Sequence, residues 1–377
     1  MSLSRRTLLK GALVASAGVA ANFLSPAPGA LGETPPLRVL ADRLGFRIGC
    51  ITNPGGADYE RYRERLRAIQ KREFNVGSEW TSWNFIEPSR GMRDFRWLDY
   101  QLAEAKVKGL STFGYNLINP SLGGGLPAWV QDVTSRADLI TSLTSLVTDT
   151  LKYAKGRVYA WNVLCESQPP QGDIFQSLIG PEYIEIIFAA ARKADPSILL
   201  CYTDYQNASD DIYNPRYRLT KRVIDELRSD HLVDLVGIEN PAYWAANPIE
   251  YGALVSGFQS YGVPIVITEF AVPIHSLSGT QESRYSKQAD IYATVLQAAL
   301  DSGVCRDFLL ETIGDNLSMW ETAVGSLPSV FPDNDPTPFD DDLQPKPAYY
   351  AMASVLQKAV DARFRYRSRL PLLASDR

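Results

Sequence analysis

Eight short apolar segments that alternate with amphipathic helical patterns constrain the fold of this chain more than any other feature. The segments are rich in β-branched and aromatic residues, as buried strands are. In order they are FRIGC (46–50), FNVGSE (74–79), LSTFGYNL (110–117), VYAWNVLCE (158–166), ILLCYTD (198–204), VDLVGIE (233–239), PIVITE (264–269) and FLLET (308–312). Eight strands with intervening helices predict an α/β fold, a single closed parallel (β/α)8 or TIM barrel, rather than an open sheet.

The predicted helices lie between these strands and show charged and apolar residues at helical spacing. Clear examples cover residues 58–72, 98–109, 183–195, 218–230 and 287–303, and the last predicted helix covers residues 346–364. With 377 residues, 45% of them apolar, the chain is long enough to fill one barrel and fits a single large domain better than two small ones.

The first thirty residues carry an export signature. Arg5 and Arg6 form a twin arginine, which precedes an apolar run of small residues that ends near Leu24, and a cleavage site is expected near Ala30. The run is shorter than the roughly 20 residues that span a bilayer, so we expect cleavage and no stable membrane insertion. The predicted units are an export signal at 1–30, a barrel domain at 31–360 and a C-terminal tail at 361–377. We expect a monomer that is exported by the twin-arginine route to the periplasm or the exterior.

Charge and cysteine content exclude several classes of partner. The net charge is −5, from 38 Lys and Arg against 43 Asp and Glu, and no basic cluster follows the N-terminus, so a nucleic-acid partner is not expected. The four cysteines are widely separated and lack the CxxC spacing of a metal knuckle. The sequence therefore predicts neither a metal nor a cofactor.

Acidic residues are concentrated where a barrel keeps its active site. Side chains at the carboxyl ends of barrel strands face the mouth, and the predicted strand ends are unusually acidic. The acids at these ends are Glu79, Glu166, Asp204, Glu239, Glu269 and Glu311. Some of them could instead cap the following helices, where an acid stabilises the N-terminal dipole.

Two of these acids, Glu166 after the fourth strand and Glu269 after the seventh, are expected to face each other across the mouth. Two carboxyl groups that flank one bond are what glycoside hydrolysis requires, and their separation decides between retention and inversion. The chain has two histidines, His231 and His275, and neither has a serine or cysteine context that suggests a triad. We interpret both histidines as surface or loop residues.

Longer motifs add a resemblance. They are LRVLADRLGFRIG, REFNVGSEWTSWNFIEPSRGMRDFRWLD, LPAWV, YAWNVLCES, IGPEYIEIIFAAARKADPSILLCYTDYQN, VDLVGIE, GVPIVITEF and FDDDLQPKPAYYAM. In this combination the chain resembles glycoside hydrolase family 10, the retaining endo-β-1,4-xylanases, over nearly all of the mature sequence. The resemblance implies a barrel whose catalytic glutamates follow strands four and seven, with Glu269 as the nucleophile and Glu166 as the acid/base.

The chain departs from the family pattern around this pair. The family's asparagine before the acid/base, which holds the sugar 2-hydroxyl, is Cys165 here, a poor hydrogen-bond donor. The family's glutamate, asparagine and lysine of the second strand correspond to Ser78, Glu79 and Ser82. One positive charge is lost and the acid moves by one position.

Further departures affect the family's histidines and tryptophans. One histidine after strand three corresponds to Tyr115, and a second to Asn119 or Pro120. The histidine that orients the nucleophile aligns with Tyr243, and its aspartate partner with Ala271; a tyrosine hydroxyl can still donate to Glu269. The tryptophan expected after strand eight is replaced by Glu311, while Trp320 is placed to supply a second one.

The resemblance and the strand ends together define a set of candidate substrate-binding residues: Glu79, Trp83, Tyr115, Asn116, Cys165, Tyr205, Glu239, Tyr243, Glu311 and Trp320. The alternative for Trp83, Tyr115, Tyr205 and Tyr243 is that they only fill the barrel rim. For Cys165 the alternative is a packed, unreactive thiol.

Three functions remain open from the sequence. The first is an exported retaining β-glycosidase that hydrolyses a β-linked oligo- or polysaccharide, as a xylanase does, with an altered sugar cradle. The second is a non-catalytic carbohydrate-binding protein on the same barrel. The third is a hydrolase or transglycosidase that acts on a non-xylan glycan. Retention of both glutamates while their neighbours change favours an enzyme.

Overall fold

The computed structural model describes residues 34–52, 57–120, 125–167, 174–239, 245, 247–318 and 334–369. The expected export signal, Tyr243 and Trp320 lie outside the described residues.

The eight predicted strands form a closed parallel barrel in sequence order, with β1 paired to β8. The strands are β1 (Arg47–Ile51), β2 (Val76–Trp80), β3 (Ser111–Tyr115), β4 (Ala160–Cys165), β5 (Leu199–Tyr205), β6 (Leu235–Glu239), β7 (Ile265–Phe270) and β8 (Cys305–Leu310). Each overlaps its predicted segment, so the predicted TIM barrel is confirmed.

Helices surround the barrel. They are α1 (Leu37–Leu44), α2 (Ala57–Glu73), α3 (Trp83–Ile86), α4 (Arg96–Lys108), α5 (Arg136–Ala154), α6 (Ile174–Leu178), α7 (Tyr183–Ala194), α8 (Tyr217–Ser229), α9 (Tyr251–Ser260), α10 (Gln281–Ser302) and α11 (Pro347–Arg369). The helical patterns read from the sequence correspond to α2, α4, α7, α8, α10 and α11. The last helix continues to Arg369, so residues 361–369 of the expected tail extend α11.

Side chains of each strand alternate between two apolar layers. The inner layer fills the barrel and contains Ile51, Val76, Phe113, Tyr115, Ala160, Cys201, Leu235, Val266 and Leu309. The outer and larger layer lies between the strands and the helices. A residue at a strand end therefore reaches the mouth only if its position in the alternation is an inward one.

Gly114 allows β3 and β4 to approach each other behind the inward-facing Tyr115. A Cβ atom on Gly114 would lie 2.3 to 2.7 Å from atoms of the Trp161 indole, which is fully buried. Real Cβ atoms do not approach a ring this closely, so a larger residue would displace either the indole or the strand. The glycine thus helps to set the position of Tyr115.

We predict that Gly114→Ala destabilises the protein by about 1–3 kcal/mol, because the added methyl group overpacks the Trp161 site. Gly252→Ala is the matched control, since a Cβ at Gly252 in helix α9 meets nothing within 4 Å. The control should be neutral or stabilising by up to about 1 kcal/mol. Urea unfolding curves measure both, and equal midpoints for the two variants would contradict the packing role of Gly114.

Candidate active site

Glu166 follows β4 in a left-handed backbone conformation, with φ of 52°. A non-glycine residue adopts this conformation only when its surroundings hold it there. Here the backbone N–H of Glu166 donates to the Thr203 carbonyl of β5 at 3.1 Å. The side-chain amide of Asn119 donates to Glu166 Oε2 at 2.9 Å. The turn therefore fixes one carboxylate oxygen of a half-buried acid at the mouth.

Glu269, near the end of β7, is the second half-buried carboxyl. The Tyr115 hydroxyl lies 2.6 Å from Glu269 Oε1. Burial raises the pKa of Glu269, the Tyr115 hydrogen bond lowers it, and the charges of Glu166 and Glu311 raise it further. Glu166 and Glu269 thus act on each other electrostatically, as two carboxyls that face a common site do.

Glu239 ends β6 beneath this pair and is 3% exposed. Its Oε1 atom contacts the Tyr115 hydroxyl and lies 3.3 Å from the Thr268 hydroxyl. Burial, followed by repulsion from Glu269 and Glu166, raises the pKa of Glu239 well above its usual range. Three carboxyl groups therefore share one end of the barrel.

Cys165 precedes the acid/base candidate and is buried, as Glu239 is. Its Sγ atom lies 3.7 Å from Glu239 Oε1 and 3.9 Å from Oε2, with the thiol placed to donate. Burial and then the charge of Glu239 raise the pKa of the Cys165 thiol well above its usual range. A thiol in this environment stays protonated and is a poor nucleophile.

Three other predicted residues stand at the carboxyl ends of neighbouring strands. Tyr205 ends β5, and the Arg216 guanidinium lies 4.0 Å from its ring centroid, which holds the ring in place. Glu311 directly follows β8, and its amide donates to the Phe270 carbonyl at 3.1 Å. Asn116 follows Tyr115, is buried and has φ of 62°.

Glu79 does not line the mouth, contrary to the prediction. It occupies an outward position of β2, where the Thr52 hydroxyl donates to its Oε2 atom at 2.6 Å. Its electrostatic neighbours are Lys108 and Glu104 of helix α4. The acid is at a strand end, as predicted, but the alternation of side chains turns it into the layer between barrel and helices. Asp204 of β5 points outward in the same way and accepts from Arg216 Nε at 2.7 Å.

Trp83 also departs from its predicted role. It belongs to the short helix α3, is 0% exposed, and its indole donates to Glu87 Oε2 at 2.8 Å. Trp129 packs edge-on against its ring with centroids 5.5 Å apart. A ring enclosed in this way has no face for a sugar, so the alternative of a rim-filling aromatic applies.

Two residues of the site were not among the predicted binding residues. Asn119, which holds Glu166, appeared in the sequence only as a possible replacement for a family histidine, and that alignment was the available signal. Thr268 beside Glu239 gave no signal, because a threonine inside an apolar strand is common. The sequence nominated Tyr243, which lies outside the described residues, as a tyrosine donor for Glu269; among the described residues, the Tyr115 hydroxyl donates to Glu269.

Within the described part of the chain, no cluster of three or more His, Cys, Asp or Glu side chains is arranged to hold a metal ion. Among those same residues, the helices are all too short or too polar to cross a membrane.

We predict that Glu79→Gln changes the pH dependence of stability rather than substrate binding. Burial raises the pKa of Glu79 from 4.5 to about 7, so between these values the folded protein holds a proton that the unfolded chain has lost. The contribution of Glu79 to stability is therefore complete below pH 4.5 and is lost as the pH rises through about 7. Relative to the wild type, Glu79→Gln should gain about 1–3 kcal/mol between pH 5 and pH 8.

Urea unfolding at several pH values measures this effect, with Glu226→Gln, an exposed acid on α8, as the control that should not change the slope. An unchanged slope together with a raised KM for Glu79→Gln would place Glu79 in the mouth after all.

Comparisons with known proteins agree with this geometry. Residues 37–355 match the family described as Glycosyl hydrolase family 10. Endo-1,4-beta-xylanase B of Thermotoga neapolitana is 27% identical over 342 residues, which cover 87% of this chain and 93% of that protein. Endo-1,4-beta-xylanase 3 of Hypocrea jecorina is 28% identical over 279 residues, or 73% of each chain.

Solved structures give the same result. Native xylanase 10B from Thermotoga maritima superposes with a TM-score of 0.72 at 25% identity, covering 87% of this chain and all of that one. Xylanase 10B from Thermotoga petrophila RKU-1, solved in complex with xylobiose, has a TM-score of 0.71 at 25% identity, covering 86% of this chain and 98% of that one. The family match over most of the chain, at low identity to its relatives, shows that this protein is a glycoside hydrolase and belongs, as a divergent member, to glycosyl hydrolase family 10.

Proposed function

We propose that this protein is an exported, retaining β-glycosidase that hydrolyses a β-linked polysaccharide in the manner of the endo-1,4-β-xylanases. The observation that carries the proposal is the arrangement of Glu166 and Glu269. They stand at the ends of opposite strands, β4 and β7, and each has its own hydrogen-bond partner, Asn119 for Glu166 and Tyr115 for Glu269. The twin arginine at Arg5 and Arg6 supports export.

In the first step the Glu269 carboxylate attacks the anomeric carbon while Glu166, as a carboxylic acid, gives its proton to the glycosidic oxygen. The carbon–oxygen bond to the leaving sugar breaks, and the anomeric carbon is left as an ester of Glu269. In the second step the Glu166 carboxylate takes a proton from water, and the water oxygen attacks the same carbon. Glu269 leaves as a carboxylate, Glu166 is protonated again, and two inversions give net retention.

The hydrogen bonds on the two acids suit these different roles. Asn119 donates to one oxygen of Glu166 and leaves the other oxygen to carry the transferable proton. Tyr115 donates to Glu269, which stabilises the carboxylate that a nucleophile needs. Burial and then the charge of Glu166 raise the pKa of Glu269, and the Tyr115 hydrogen bond opposes them.

The sugar cradle is proposed to consist of Tyr115, Asn116, Cys165, Tyr205, Glu239 and Glu311, with Tyr243 and Trp320 from segments outside the described residues. Because the relatives are xylanases and one of the neighbours holds xylobiose, β-1,4-xylo-oligosaccharides are the first substrates to test. The weak donor Cys165, at the position of an asparagine that binds the sugar 2-hydroxyl in the family, favours an altered sugar preference, including a hydrolase or transglycosidase of a non-xylan β-glycan.

We predict that Glu269→Gln abolishes activity, with a loss of about 10⁴-fold or more in kcat, on xylan and on a panel of aryl β-xylosides, β-xylobiosides and β-glucosides. Glu166→Ala should lose as much on xylan but far less on dinitrophenyl glycosides, because that leaving group departs without a proton. Glu226→Gln is the matched control for loss of an exposed carboxyl. A wild type that is inactive on every substrate of the panel would contradict the proposal and favour the carbohydrate-binding alternative.

Retention itself is tested by following the first anomer released from a reducing-end-blocked oligosaccharide by proton NMR. We expect the β anomer to form first and then to mutarotate. Initial release of the α anomer would show inversion and would exclude the glycosyl-enzyme intermediate.

A further inference from the structure

The Tyr115 hydroxyl stands between two carboxyl oxygens, which its single hydrogen cannot serve at once. Its oxygen contacts Glu239 Oε1 on one side and lies 2.6 Å from Glu269 Oε1 on the other. Burial, followed by the charges of Glu239 and Glu269, raises the pKa of Tyr115 well above its usual range, so the phenol keeps its hydrogen. The second close oxygen–oxygen contact is a hydrogen bond only if one of the two carboxyls is protonated and donates to the phenol oxygen.

Depth in the barrel distinguishes the two carboxyls. Glu239 is 3% exposed, while Glu269 is only half-buried at the mouth. Desolvation penalises a charge more strongly at the deeper site, so the proton belongs there.

The surroundings of Glu239 point the same way. Among the described residues, the groups that act on it include Tyr115 from β3, Cys165 from β4 and Glu166 directly after it, Asp204 from β5, and Thr268 and Glu269 from β7. Its charged neighbours in this set are carboxyls, which disfavour a further negative charge. The hydroxyl of Thr268 lies 3.3 Å from Glu239 Oε1 and 3.4 Å from the Ile238 carbonyl oxygen.

We propose that Glu239 is a protonated positioning residue, whose carboxyl donates to the Tyr115 oxygen and thereby commits the only Tyr115 hydrogen to the nucleophile Glu269. The inference rests on the proposed function of Glu269. In this order of hydrogen bonds, Glu239 to Tyr115 to Glu269, the nucleophile is the charged member of the chain. The reverse order would place the proton on Glu269 and remove the nucleophile.

A neutral donor of the same shape should replace Glu239. In Glu239→Gln the amide N–H can donate to the Tyr115 oxygen, so we expect a smaller loss in kcat/KM than in Glu239→Ala and an acid limb within about half a pH unit of the wild type. Glu239→Ala removes the donor and should lose about tenfold or more. Tyr115→Phe should lose at least as much and should shift the acid limb upward, because Glu269 loses the hydrogen bond that lowers its pKa.

Two kinetic results would overturn the inference. If Glu239→Gln gains activity below neutral pH and its acid limb falls by about one unit or more, Glu239 is charged in the wild type and the proton lies on Glu269. If Glu239→Gln is as impaired as Glu239→Ala, donation from this position is not what the site needs.

Infrared difference spectroscopy tests the proton without requiring activity. At mildly alkaline pH, the wild type should show a protonated-carboxyl C=O band that disappears in Glu239→Gln and persists in Glu269→Gln. Loss of the band in Glu269→Gln, or its absence from the wild type, would overturn the inference even if the protein is an active glycosidase. A protein that shows the band on Glu239 but hydrolyses no glycoside would refute the proposed function and leave the protonation state standing.

Discussion

Three carboxyl groups lie at one end of a closed barrel, where their negative charges would repel one another. Two of these carboxyl groups contact the same hydroxyl, that of Tyr115. Glu239 and Glu269 both touch this hydroxyl, and Glu166 acts on both through its charge. Burial of like charges is costly unless protons neutralise some of them. The chemistry proposed for the mouth therefore depends on where the protons lie, and the depth of each side chain decides this.

Barrel closure explains why these acids meet at all. The sequence was sufficient to predict the barrel, because strand-like and helical periodicities alternate eight times and each strand overlaps its predicted segment. It was also sufficient to nominate Glu166 and Glu269, since strands four and seven of a closed barrel lie across the mouth from each other.

The remaining part of the site depended on details that periodicity does not resolve. Glu79 and Asp204 stand at strand ends like Glu239, but one step in the alternation turns them outward, to Thr52 and Arg216 respectively. Trp83 is in a four-residue helix, and its buried ring packs against Trp129. Asn119 reaches Glu166 from a loop, and contacts of loop residues follow from three-dimensional packing rather than from local sequence pattern.

Under the proposed function, the departures from the family sequence fall in the sugar cradle and not in the pair of acids. Cys165 is a protonated thiol that faces Glu239, and Tyr115 donates to Glu269, the proposed nucleophile. Both changes would alter hydrogen bonds in the cradle, while two carboxyls remain at the ends of β4 and β7. This pattern is typical of an enzyme that keeps its reaction and changes its sugar.

The most direct test of the double-displacement account is to trap the glycosyl-enzyme. The protein is incubated with a 2-deoxy-2-fluoro β-glycoside that carries an activated leaving group, digested with a protease and mapped by mass spectrometry. The account predicts one covalent sugar on the peptide that contains Glu269. An active enzyme that carries no label, or carries it on a different residue, would contradict the assignment of Glu269 as the nucleophile.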